Sequence, residues 1–105
     1  MTYTVLLTVE AQDDLDRLFD FVLDRELTQP DGNLDLAAQA LATIQAGLAA
    51  LERFPFTCRK AADSPFLREL VIASGATGYV ALFEVVDGET VVVAAVRHQR
   101  EDEYH

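Results

Sequence analysis

The sequence predicts an α+β domain in which an N-terminal strand and a helical hairpin precede a three-stranded antiparallel meander. Three observations point there. Apolar residues recur at helical spacing between residues 10 and 51, β-branched runs fill residues 66 to 98, and breaks rich in glycine or proline separate the segments. With half of its 105 residues hydrophobic and a quarter charged, the chain suits one domain, 1–105, around a single modest core.

The first element is YTVLLTV, residues 3 to 9, short and rich in threonine and valine as a strand should be. From Glu10 to Leu27 the period changes. Leu15, Leu18, Phe19 and Val22 fall at i, i+3, i+4 and i+7, while Asp13, Asp14, Asp16, Arg17, Asp20 and Asp24 are expected largely on other faces. Thr8 is the expected N-cap, and Asp13 and Arg17 stand in the favourable i, i+4 order. TQPDGN, residues 28 to 33, is a link. Leu34, Ala37, Leu41, Ile44, Leu48 and Leu51 then form a stripe over five turns, and pairing this stripe with the first helix gives an antiparallel hairpin that ends before Pro55.

Residues 55 to 65 have no period and read as an irregular connection. Three strands come after it, FLRELVIA (66–73), GYVALFEVV (78–86) and TVVVAAVRH (90–98), the last two joined through Asp87-Gly88, a strong hairpin signal. Alternation puts Leu70 and Ile72 on one face with Arg68. In the last strand it sets Val92, Ala94, Val96 and His98 opposite Val91, Val93, Ala95 and Arg97. Both faces of that strand are apolar, so it is expected inside the sheet, with helices on one side and the C-terminal tail or a partner on the other.

Composition narrows the function. A net charge of −10 argues against broad attraction to nucleic acid or an anionic membrane. The charge is uneven, since residues 1 to 52 hold ten acids against Arg17 and Arg25, whereas Arg53, Arg59, Lys60 and Arg68 face only Asp63 between residues 53 and 68. No apolar run approaches the ~20 residues of a membrane span, and the N-terminus lacks a signal-peptide pattern, so a cytoplasmic protein is expected. Cys58 is the single cysteine and has no base beside it in sequence. Metal-ligand clusters and nucleotide-binding glycine motifs are absent from the sequence, so no cofactor is expected.

Five stretches carry a family resemblance: EAQDDL (10–15), LERFP (51–55), LREL (67–70), GYVALF (78–83) and VRHQREDEY (96–104). Together with the order of elements, they resemble the ParE branch of the RelE/ParE toxins of bacterial toxin-antitoxin modules. The resemblance departs at Cys58-Arg59, where such proteins often have glycine before arginine, and in its acidity. It implies a small toxin held inactive by a cognate ParD-like antitoxin. ParE-type members are taken to act on DNA gyrase, whereas RelE-type members cut messenger RNA on the ribosome.

Local chemistry separates the two targets. A ribonuclease needs a proton acceptor, a proton donor and positive charge at the phosphate, for which Arg68, Arg97, His98 and Tyr104 are the counterparts. Against that, Lys60 is the only lysine and Glu101, Asp102 and Glu103 adjoin Tyr104. A protein inhibitor needs only a surface presenting arginine and aromatic groups, and Arg59, Lys60, Arg97, His98, Arg100 and Tyr104 are the expected partner contacts. A fold member that is no longer toxic and only binds antitoxin is the third reading.

Overall fold

The computed structural model describes residues 2–61, 66–74 and 77–100. Its elements are β1 (Thr4–Leu7), α1 (Val9–Leu27), α2 (Asp35–Ala49), β2 (Arg59–Lys60), β3 (Leu67–Ser74), β4 (Thr77–Val85) and β5 (Thr90–His98). They form the expected α+β arrangement, with one mixed sheet in the order β1-β5-β4-β3-β2. The meander β3-β4-β5 is antiparallel, while β1 pairs parallel with β5 from Thr4 opposite Thr90 to Leu7 opposite Val93.

Local chemistry sets the helix ends. The Thr8 hydroxyl accepts the Ala11 N–H at 3.0 Å, the N-cap bond that the sequence predicts for α1. The second helix is shorter than its leucine stripe, because Leu34 is the residue preceding it, without a side-chain cap, and is 50% exposed. At the other end α2 tightens into a 3-10 turn, Ala50–Glu52, that still delivers Leu51 to the core. A second 3-10 turn, Pro55–Thr57, and β2 then occupy the connection expected to be irregular. Arg59 and Lys60 pair with Glu69 and Arg68, so an edge strand of two residues exists where no period announces one.

The helices cover one face of the sheet, α1 over β5 and α2 over β3. Leu15 and Leu18 of α1, Ile44 and Leu48 of α2, and Ile72, Phe83, Val91, Val93 and Val96 of the sheet make a single core. Gly47 lies so close to Ile72 that a Cβ would stand 2.7 Å from its side chain, so a larger residue would force the Ile72 side chain or α2 to shift.

Strand β5 corrects the expected alternation. A bulge at the Leu82/Phe83 step leaves Leu82 opposite Ala95 and Phe83 opposite Val93, so Ala94 is an extra residue. One inserted residue reverses the phase of the strand beyond it. Val91, Val93, Val96 and His98 therefore face the helices, and Val92, Ala95 and Arg97 face away.

The bulge lies where β1 has ended, and α1 completes the exposed edge. Thr8 donates its N–H to Val93 O at 3.0 Å and its hydroxyl to Ala94 O at 3.1 Å, and the Asp14 carboxylate accepts the Val96 N–H at 2.9 Å. Asp14 is only 5% exposed, which corrects its expected place on the solvent side of α1. It lies on the apolar stripe, at i+3 from Ala11 and i−4 from Leu18. Arg17 reaches it at 3.9 Å, an i, i+3 pair within α1.

Four substitutions probe this packing. Asp14→Ala strands a buried N–H and is expected to cost about 1–3 kcal/mol in urea unfolding, with Asp14→Asn costing less because its amide oxygen can still accept. Leu48→Ala opens a cavity under the sheet and should cost about 2–5 kcal/mol, whereas Leu34→Ala, at an exposed position, should stay within about 0.5 kcal/mol.

Candidate functional site

The site begins where β5 ends. The alternation restored after the bulge turns His98 toward the helical side, opposite Tyr79 on β4, and the two rings meet edge to face at 5.6 Å between centroids. Gln99 extends the pairing by donating its N–H to Gly78 O at 2.8 Å. The chain then turns, and Arg100 donates its N–H to His98 Nδ1 at 3.1 Å.

These residues border a groove of about 690 Å³ between α1, α2 and the end of the sheet. Helix α1 supplies Arg17, Phe21 and Arg25 at i, i+4 and i+8, a spacing that sets all three on one face. Phe21 is 62% exposed there. Helix α2 adds Leu36, Gln39 and Thr43, the sheet adds Ser74, Tyr79 and His98, and the turn after β5 adds Arg100. Three arginines thus border one apolar-walled hollow in a chain of charge −10, a local positive field that the overall balance hides. Arg17 and Arg25 are not among the contacts expected from sequence. Their signal is the face they share with Phe21.

Two groups have shifted acidity around this groove. Burial pushes the Tyr79 phenol up, with the Arg25 charge opposing it, so the ring remains a neutral hydrogen-bonding phenol. The Glu26 carboxyl is held below its ordinary range, first by accepting the Asn33 N–H at 3.0 Å and then by its bond from Arg25 Nε at 3.0 Å, against the opposing effect of desolvation. Glu26 thereby ties the link between the helices to α1. Gly32 sits so tightly against the Glu26 carbonyl that a Cβ would overlap it.

The other expected contacts are distributed. Arg97 faces away from the groove, and its Nη1 donates to His98 O at 3.3 Å and Gln99 O at 3.4 Å. Arg59 pairs through Nε with Glu69 Oε1 at 3.1 Å, and Lys60 is exposed beside it on the far edge strand. Arg68 lies on the helix-facing side of β3, opposite Phe83, where Nη1 donates to Cys58 O at 2.8 Å and the guanidinium stands 5.0 Å from the centre of the Phe56 ring. Arg68 and Arg97 therefore occupy opposite faces and are two strands apart. Tyr104 lies outside the described residues.

Cys58 is half-buried and its thiol is pushed up by desolvation, with Arg68 opposing, which is the reverse of an activated thiolate. Among the described residues, no cluster of three His, Cys, Asp or Glu side chains could hold a metal ion, and no helix is long and apolar enough to cross a membrane.

The acidity of Glu26 has a measurable consequence. Its folded value lies below the unfolded one, so its contribution is present above about pH 4.5 and is lost as pH falls through the lower folded value. Unfolding followed by circular dichroism should show Glu26→Gln less stable than wild type at pH 7, with the difference shrinking as the solution is acidified.

A family model described as ParE toxin of type II toxin-antitoxin system, parDE, matches residues 5–103. Seven chains of solved structure match as well. One, from the chromosomal ParDE TA system of P. aeruginosa, superposes with a TM-score of 0.68 at 17% identity over 92% of this chain and 96% of that one, a likeness of fold. No curated protein matches.

Proposed function

The chain belongs to the ParE toxin family of type II toxin-antitoxin systems, and on that premise we propose that it inhibits DNA gyrase in the cytoplasm, as one toxin domain over 1–105 neutralised by its ParD antitoxin. A ParD partner is what membership of the parDE family implies. The gyrase target is the reading that the local geometry supports best.

The observation that carries it is the separation of the candidate catalytic groups. Attack by a 2′-hydroxyl needs donor, acceptor and cation within hydrogen-bond reach of one phosphate. Arg68 is committed to the Cys58 carbonyl on one face, Arg97 points from the other, and His98 turns into the groove with its Nδ1 already accepting from Arg100. A binding surface makes no such demand. Arg17, Arg25 and Arg100 around Phe21 and Tyr79 suit a partner segment with acidic and apolar side chains, of the kind that an antitoxin would lay there. Arg97 in β5, Arg100 in the turn after it and Tyr104 are the proposed gyrase contacts. Arg59 and Lys60, on β2, are proposed as outlying antitoxin contacts. An antitoxin seated in the groove covers His98 and Arg100 and thereby excludes the target.

The test is a supercoiling assay with purified gyrase and relaxed plasmid, run beside a translating extract in which messenger integrity is followed. Supercoiling should fall with messenger intact, antitoxin should restore it, and Arg100→Ala should weaken inhibition by about tenfold, the scale of an interface hot spot. Cut messenger with normal supercoiling would establish a ribonuclease instead. An inert, folded protein in both assays would mark a member that only binds antitoxin.

A further inference from the structure

We propose that the groove holds a carboxylate site, in which the guanidinium of Arg25 and the hydroxyl of Tyr79 together bind one aspartate or glutamate side chain of the antitoxin. The proposal rests on the reading that the antitoxin occupies the groove. Tyr79 supplies the first observation. It is only 7% exposed and borders the groove. Its ring meets His98 edge to face, yet its hydroxyl makes no hydrogen bond with any of the described residues. Polar atoms of buried side chains are ordinarily satisfied, so a hydroxyl left open in the wall of a groove marks a place for a ligand atom. Burial keeps the phenol protonated at neutral pH, and it can therefore donate, as a carboxylate requires.

Arg25 supplies the second. Its Nε donates to Glu26 Oε2 at 3.0 Å, and its side chain makes no other hydrogen bond with the described residues. The acceptor is itself well fixed, since Glu26 is 7% exposed and its other oxygen accepts the Asn33 N–H at 3.0 Å. With Nε engaged, the guanidinium is held from one side and its terminal pair, Nη1 and Nη2, is left for a ligand. Two parallel N–H groups at that end match the two oxygens of a carboxylate. Both residues border the same hollow, and the Arg25 charge is near enough to the phenol to oppose the rise in its pKa.

The surroundings select a carboxylate carried on a protein segment. Phe21, 62% exposed, and Leu36 border the same groove, so the acid is expected beside apolar side chains that cover them. A nucleic-acid backbone would bring a row of phosphates against Asp20 and Asp24, which are exposed on the adjoining face of α1. One carboxylate meets only the two donors.

Isothermal titration calorimetry of purified ParD antitoxin into the full chain tests the site. Tyr79→Phe removes only the unbonded hydroxyl and keeps the ring against His98, so the fold is retained. It should weaken binding about tenfold, the scale of a hydrogen bond to a charged group. Arg25→Lys keeps the charge but loses the paired N–H groups, and should weaken binding by about as much. Because both groups hold the same carboxylate, the double variant should lose less than the product of the two single losses. Wild-type affinity in either single variant, or single losses that multiply in the double variant, overturns the site. Phe21→Ala, at an exposed position in the same groove, separates that result from failure of the underlying reading. Weaker binding by Phe21→Ala with Tyr79→Phe unaffected keeps the antitoxin in the groove and removes only the carboxylate site. Wild-type affinity in all three single variants removes the antitoxin from the groove as well.

Discussion

The hydrogen bond from Val96 N–H to the Asp14 carboxylate is the constraint on which the rest of the structure turns. A parallel edge strand that stops at Leu7 leaves the adjoining stretch of β5 with unpaired backbone groups, and such groups are costly when buried. Thr8 and Asp14 meet that need from the helix that β1 runs into. One residue therefore belongs at once to the apolar stripe of α1 and to the edge of the sheet, and it fixes how the helix lies on β5. The bulge at Ala94 is part of the same solution. It lets the strand change phase where its neighbour changes from strand to helix, and the change decides that His98 enters the groove while Arg97 leaves it.

Charge is sorted by helix face rather than by region. The first half of the chain is strongly acidic, yet its two arginines, Arg17 and Arg25, stand with Phe21 on the side of α1 that faces Tyr79, His98 and Arg100. A partner entering the groove meets nearby cations before it feels the distant acids, because screening at physiological salt extends only ~8–10 Å. Sign at a surface is thus a local property, and the net charge of −10 describes the solvent faces more than the groove.

Much of this is legible in the residues. Helical spacing marks α1, the bulk of α2 and their shared core, Thr8 marks the first cap, and Asp87-Gly88 marks the turn between β4 and β5. The features that escape do so for physical reasons. A period-two reading assumes an unbroken ladder, so an inserted Ala94 inverts every face after it. Leucine spacing cannot say that a helix begins one residue after Leu34, since an apolar residue that merely precedes a helix keeps the same interval. Arg59 and Lys60 form a strand because β3 offers them an edge, which no local pattern records. Chemical type alone makes Asp14 a solvent acid, although its position on the stripe already places it inward.

The pairing of β1 with β5 joins residue 4 to residue 90, and the Asp14 bond spans 82 positions. Contacts so distant along the chain can form only after loop closure, late in the search for the fold. The helices, by contrast, are local and can assemble while synthesis is still under way. Until β5 exists, β1 has no neighbour and the cationic groove has no floor at His98. The order in which the polypeptide emerges therefore delays the finished surface to the last strand made.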